Sequence, residues 1–403
     1  MSVLIVGASV AGMRTIQALR ARGFEGEITA LGEEPHVPYD KPPLSKEMLA
    51  VTSGGDAVPL MTPEALAELD VDLRLGVRAA SLDVARKTVV SDAGDEYRYD
   101  GALVIATGVT PRELPGTNSL ENVYTIRTAD DVVGLRRELV SGKKAVVIGA
   151  GFIGAEFAAA ATAYGVEVTM VEAQQSPLAL QLGADVGSVL AGLHTSAGVV
   201  VLTGVSVDKL VGTGRASAVR LVGGRELPAD FVVVGIGAKP ATDWLLSSGL
   251  PITDGIDCDD SLRVIGTSDV FAAGDVARWR HPLYPESIRI EHWTNANEHA
   301  DAVAAAIMGA PAPRVSVPYV WSDQYGKRIQ IIGRPASGSL AMLRGEAHAG
   351  DLVACYVDTD GALVGALVVD NPRLLMQFRK AVIAGEKYVQ FERRVFAADP
   401  AQT

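Results

Sequence analysis

The chain has 403 residues, 48% of them hydrophobic and 21% charged, with a formal net charge of −12 at pH 7. Such a length predicts two or three domains folded throughout, while the acidic balance excludes unspecific nucleic-acid binding through a counterion-releasing basic face. No apolar run approaches bilayer length and the start lacks the basic region of a signal peptide, so a cytoplasmic protein with no membrane segment is expected.

In chain order, the first element is the buried-strand run Val3-Leu4-Ile5-Val6, which enters the turn Gly7-Ala8-Ser9-Val10-Ala11-Gly12. A helical pattern over residues 11–22 and a strand over 28–31 follow, completing a βαβ unit. The turn is a G-x-G-x-x-G pattern with serine at its middle position. Glycine there lets the backbone approach a pyrophosphate, and Ser9 adds only a hydroxymethyl group. Glu33 lies where an acid takes ribose hydroxyls. Residues 52–58 read as a polar loop and 102–107 as a further strand.

A second copy begins at Ala145-Val146-Val147-Ile148. Its turn, Gly149-Ala150-Gly151-Phe152-Ile153-Gly154, matches the fingerprint fully. A helix over 152–164, a strand over 168–171 and Glu172 follow in the expected places. One glycine-rich turn often marks nothing but a tight bend; two copies, each with strand, helix and acid, are poorly explained that way. Strands at 231–234 and 270–273 end in small residues, as strand ends facing ligands do. Beyond residue 313 the text changes to alternating stretches, 328–332 and 362–369, and a closing helix over 372–384. The predicted fold is α/β: two Rossmann-like dinucleotide-binding domains plus a C-terminal α+β domain.

Two dinucleotide sites in one chain predict a resident flavin dinucleotide, FAD, and an exchanging nicotinamide dinucleotide. The Glu172 carboxylate would accept from an adenosine 2′-hydroxyl and repel a 2′-phosphate, and no Lys or Arg occurs between Lys144 and Lys209, which favours NADH over NADPH. Cys258 and Cys355, the two cysteines, form no C-x-x-C pair or cysteine-rich metal site, and the six histidines show no ligand spacing. No metal is expected, and redox chemistry must come from a bound cofactor.

Further stretches carry a family resemblance: Pro38-Tyr39-Asp40-Lys41-Pro42-Pro43-Leu44-Ser45-Lys46, Ile105-Ala106-Thr107-Gly108, Gly237-Ala238-Lys239-Pro240, Ala272-Ala273-Gly274-Asp275 and Trp321-Ser322-Asp323-Gln324-Tyr325. Together with Glu156 they resemble the NADH-dependent ferredoxin reductases, of the putidaredoxin reductase and aromatic-ring dioxygenase type, within the two-dinucleotide flavoprotein superfamily. The likeness runs over essentially the whole chain. It implies a glutathione-reductase-like architecture with an FAD-binding domain at 1–112 and 247–312, an NAD-binding domain at 113–246 and a C-terminal interface domain at 313–403. The disulfide branch of the superfamily is set aside, since neither cysteine follows the first helix.

The resemblance also implies roles. Gly7, Ser9, Ala11, Gly12, Glu33, Thr107, Gly108, Gly274 and Asp275 would hold FAD, with Asp275 on the ribitol, Ala79 at the adenine and Arg127 supplying a cation. Gly149, Gly151, Ile153, Gly154, Glu172 and Gly237 would hold NADH. Lys46 and Glu156 are the candidate catalytic pair beside the reactive edge of the flavin, against the plain alternative of a structural ion pair. Trp293, in the stretch Glu291-His292-Trp293-Thr294-Asn295 that precedes an alanine-rich helix running to Met308, and Trp321 are candidates to line the flavin, although buried core tryptophans would look the same. Relatives usually carry a basic residue soon after the second acid, whereas Gln174-Gln175-Ser176-Pro177-Leu178 has none.

The implied reaction passes a hydride from NADH to the flavin, which releases its electrons singly to a [2Fe-2S] ferredoxin serving a cytochrome P450 or ring-hydroxylating oxygenase. Arg278, Arg280, Arg289 and Arg314 are candidates for a basic docking rim on a monomer or weak dimer. Alternative readings are an NADH oxidase, a rubredoxin reductase, or an apoptosis-inducing-factor-like protein whose nicotinamide site controls interactions.

Overall fold

A computed structural model describes residues 1–49, 56–314 and 316–396, so residues 52–55 of the expected polar loop lie outside it. The chain divides into two compact units. The first comprises Met1–Lys41, Ala57–Thr110 and Ala238–Ser316, the second Pro42–Asp56, Pro111–Gly237 and Val317–Thr403.

In the first unit a parallel sheet runs in the order Val270–Ala272, Ala102–Ile105, Val3–Val6, Ile28–Gly32, Asp72–Leu75. Its central strands are buried on both faces, which is why they read as unbroken apolar runs. The chain leaves Val3–Val6 toward Ile28–Gly32 on one side and adds Ala102–Ile105 on the other. The strand order therefore reverses beside the first glycine-rich turn, where a doubly wound sheet opens a ligand crevice. The helices Val10–Ala21 and Trp293–Ile307 pack on each other over this sheet.

The second unit repeats the plan with a parallel sheet ordered Val200–Thr203, Glu167–Glu172, Lys144–Ile148, Phe231–Val234, Val123–Tyr124. The C-terminal module belongs to this unit. Its antiparallel sheet is ordered Tyr319–Gln324, Lys327–Gly333, Leu363–Val369, Val353–Val357, Ser339–Arg344. One face shares a core with Leu182, Val186, Leu190 and Leu193. The other is covered by the helices Pro372–Ala384 and Tyr388–Val395, where Phe378 and Phe391 stack at 4.4 Å. Leu363–Val369 is consequently buried along nearly its whole length, rather than alternating as the sequence pattern suggested.

Each parallel sheet carries a three-stranded antiparallel partner that hydrophobic periodicity did not reveal: Ala79–Asp83, Thr88–Ser91 and Glu96–Arg98 in the first unit, and Val207–Thr213, Arg215–Leu221 and Glu226–Pro228 in the second. Among the described residues no helix is long and apolar enough to cross a membrane.

Candidate functional site

In the first unit the glycine-rich turn is dictated by the backbone itself. A Cβ on Gly7 would stand 2.2 Å from the Ala106 carbonyl oxygen, and one on Gly12 would stand 1.9 Å from that of Gly7. Ser9 is the N-cap residue of Val10–Ala21, in extended conformation, and its side chain makes no capping bond. Gly274 approaches the same place, since a Cβ on it would be 3.0 Å from that of Ala11. The Gly274 N–H donates to His299 Nδ1 at 3.2 Å. Burial first, and then His281, push the His299 pKa down to about 3, which keeps this ring neutral and able to accept.

Gly7, Ser9, Ala11, Gly12, Gly274 and Asp275 thus gather at one end of the sheet. Glu33 lies just past the strand Ile28–Gly32, 68% exposed, with Arg78 at 3.4 Å. Ala79 begins the strand Ala79–Asp83. The Thr107 hydroxyl donates to the Ala241 carbonyl at 2.9 Å, and Gly108 follows with φ of +67°. Trp293 opens its helix and donates from Nε1 to Asp40 at 2.7 Å.

The second turn is built alike. Gly149 has φ of +100°, with the position of its absent Cβ only 2.2 Å from the Gly235 carbonyl oxygen, and Gly154 stands as close to the Gly149 carbonyl. Gly151 differs: a Cβ there would meet nothing within 4 Å. Glu172 braces the turn, accepting from the Ala150 N–H at 2.7 Å and the Gln174 N–H at 2.8 Å. Two of roughly four acceptor positions on its oxygens are so used, which leaves capacity of the kind a ribose hydroxyl would need. Ile153 is 41% exposed, and the Gly237 carbonyl accepts from the Arg112 N–H at 2.9 Å. Arg127 precedes the capping box of Thr128 and Asp131, its N–H donating to Asp131 at 2.9 Å.

These features fit dinucleotides. The helices Val10–Ala21, Phe152–Ala163 and Trp293–Ile307 carry no acid in their first turns, so their positive ends face no carboxylate of their own there. The open space at Gly151 is the approach that a pyrophosphate needs.

Lys46 and Glu156 meet in the second unit, the ammonium 3.2 Å from Glu156 Oε1 and 3.6 Å from Asp323 Oδ2. The 3₁₀ turn Pro42–Ser45 packs on the helix Phe152–Ala163 and delivers the Ser45 hydroxyl to Glu156 Oε2. The strand Tyr319–Gln324 delivers Ser322, whose hydroxyl donates to Oε1 at 2.8 Å, and the Asp323 N–H, which donates to it at 3.3 Å. Glu156 is 5% exposed, so its charge depends on these donors rather than on water. Asp323 in turn holds Arg328 at 2.8 Å, giving two cations and two carboxylates in sum. Trp321 stacks with Tyr319, and the Lys46 ammonium lies 5.8 Å from its ring. Ser45, Ser322 and Asp323 had no assigned role in the sequence reading, although Ser45 adjoins Lys46, Ser322 adjoins Trp321, and Asp323 lies two residues beyond Trp321.

Two of the expected rim arginines are engaged within the chain. Arg278 pairs with Asp257 at 2.6 Å, and Arg289, largely covered, pairs with Asp254 and Glu291. Arg280 and Arg314 are exposed. Cys258 and Cys355 are free and buried, and burial raises both thiols, Cys355 to about 12, so neither is a thiolate nucleophile.

The profile of the family described as pyridine nucleotide-disulphide oxidoreductase matches residues 1–300, and that described as reductase C-terminal matches residues 319–402. The chain is 36% identical over 396 residues to the probable ferredoxin reductase CtmF of Castellaniella defragrans, covering 96% of each chain. The chain belongs to the ferredoxin reductase branch of the pyridine nucleotide-disulphide oxidoreductases. It is therefore an oxidoreductase that binds FAD and NAD(H). This reductase is also 38% identical to the ferredoxin reductase component of the chlorobenzene dioxygenase of a Cupriavidus species, covering 92% of this chain and 90% of that one. Among solved structures it is similar to the covalent putidaredoxin reductase–putidaredoxin complex, with a TM-score of 0.90, 30% identity and 98% coverage of both chains. The disulphide of the family description has no counterpart here, because both cysteines are free.

Proposed function

We propose that this reductase takes electrons from NADH through FAD and delivers them to a [2Fe-2S] ferredoxin that serves a cytochrome P450 or a ring-hydroxylating oxygenase. The observation that carries the reading is the pairing of two dinucleotide turns, one in each compact unit, with a buried ion-pair cluster in the unit that bears the complete fingerprint. Relatives named as reductase components of dioxygenase systems support the choice of acceptor. FAD, when bound, supplies the step from two-electron acceptance of hydride to one-electron release.

The chain's part is binding, orientation and electrostatics. Gly7, Ser9, Ala11, Gly12, Thr107, Gly108, Gly274 and Asp275 hold FAD, Glu33 and Ala79 its adenosine half, and Arg127, Trp293 and Trp321 complete its surroundings. Gly149, Gly151, Ile153, Gly154 and Gly237 hold NADH, and Glu172 takes the adenosine 2′-hydroxyl with its remaining acceptor positions. Glu156 orients the nicotinamide carboxamide while Lys46 offers a fixed positive charge nearby. The domain division is the one read from the sequence, with FAD bound by 1–112 and 247–312, NADH by 113–246, and 313–403 completing the chain. The protein works in the cytoplasm as a monomer or weak dimer.

The test is a relay assay in which NADH, the purified flavoprotein, a [2Fe-2S] ferredoxin and cytochrome c are combined. Cytochrome c reduction should depend on ferredoxin, and kcat/KM should favour NADH over NADPH. Equal turnover with oxygen as sole acceptor would favour an NADH oxidase instead.

A further inference from the structure

The Glu156 carboxylate is held from two directions. The Pro42–Ser45 turn and the residue after it bring the Ser45 hydroxyl and the Lys46 ammonium, whereas Ser322 and the Asp323 N–H come from a strand of the C-terminal sheet, Ser322 lying 166 residues further along the chain. Oxygen Oε1 takes Ser322 at 2.8 Å, Lys46 at 3.2 Å and the Asp323 N–H at 3.3 Å, more donors than its two lone pairs serve well. Ser322 is the shortest of the three. Its direction is also set, because the Gln324 amide donates to the Ser322 oxygen at 3.0 Å, leaving the hydroxyl proton for Glu156. Ser322 is 0% exposed and Gln324 2% exposed, so water does not replace either bond.

The geometry points to Ser322, with Gln324 behind it, as a positioning residue: the C-terminal module fixes the orientation of the Glu156 carboxylate and thereby the grip on the nicotinamide half of NADH. Lys46 divides its charge between Glu156 and Asp323, so it attracts the carboxylate without fixing its plane. The short, directed hydroxyl bond does that. Without it the carboxylate turns toward the ammonium and Ser45, away from the donor geometry of a carboxamide. The C-terminal sheet then contributes to cofactor recognition as well as to the core. This inference rests on the reading of Glu156 as the residue that meets the nicotinamide.

The test uses the full-length FAD-loaded protein as wild type, S322A and E156Q, titrated with oxidised NAD and, separately, with ADP-ribose, which lacks the nicotinamide. S322A should weaken NAD binding about tenfold, the size of one buried charge-assisted hydrogen bond, and raise KM for NADH more than it lowers kcat with ferricyanide as acceptor. ADP-ribose affinity should stay within about twofold, since the pyrophosphate and adenosine contacts are untouched. If S322A leaves NAD binding unchanged while E156Q weakens it, the positioning role is wrong and the Glu156 reading stands. If E156Q spares NAD binding, both fall. Equal loss of NAD and ADP-ribose in S322A overturns the inference as a general loss of structure. Should S322A not take up FAD, Q324M, which removes the amide that directs the hydroxyl, is read by the same criteria.

Discussion

Glu156 and Lys46 carry opposite charges in a place nearly closed to water, 5% and 13% exposed, so each is stabilised by specific partners. Replacing Lys46 with Met leaves the carboxylate its hydroxyl donors and leaves Asp323 with Arg328. The fold should persist, and if Lys46 has the proposed role beside the flavin, flavin reduction by NADH should slow at least about tenfold in stopped flow. An unchanged rate would reduce the pair to scaffolding. A second residue makes a prediction about pH. His194 Nδ1 bonds to the Tyr325 hydroxyl at 2.8 Å, and burial pushes its pKa from 6.5 down to about 4. As pH falls, the unfolded chain takes up this proton first, so the stability tied to neutral His194 is complete above pH 6.5 and drains away toward pH 4. The contribution is on the order of 3 kcal/mol. His194→Asn, which keeps an acceptor and cannot titrate, should flatten the fall in urea midpoint across that window. A wild-type slope in the variant would assign the acid sensitivity elsewhere.

At the level of elements, the two glycine-rich turns separate structural from binding demands. Gly149 adopts a left-handed conformation against the Gly235 carbonyl, so Gly149→Ala should destabilise the fold measurably. Gly151 has φ of −77° and open space beside it, so Gly151→Ala should melt within about 1 °C of wild type yet bind NADH at least about tenfold more weakly, as the new methyl fills the pyrophosphate approach. Parallel losses in both variants would contradict the division. Turns of this kind were legible in the sequence because their requirements are local: a strand, a bend, three small residues and an acid within thirty residues of each other. The Ser322–Glu156 bond was not, since it joins residues 166 apart and a serine leaves no periodic trace. The strand Val207–Thr213 escaped for another reason, having no buried residue and so offering no apolar alternation. Val123–Tyr124 is a two-residue edge strand, below what a pattern can register.

On the scale of the whole molecule, the chain supplies no redox group of its own: its cysteines are free, buried and raised in pKa. A net charge of −12 also sets terms for any acidic partner, which must dock on a local basic surface against long-range repulsion. Arg278 and Arg289 are already paired within the chain, which shifts that task toward residues such as the exposed Arg280 and Arg314. The proposed function is electron passage from NADH to a ferredoxin, and one experiment addresses it directly. In anaerobic double-mixing stopped flow, the purified yellow protein is first mixed with NADH and then with an oxidised [2Fe-2S] ferredoxin. The flavin colour should bleach in the first mix and return in the second as two ferredoxins are reduced for each NADH consumed. A colourless protein, or a bleached one whose colour no ferredoxin restores, would contradict the account.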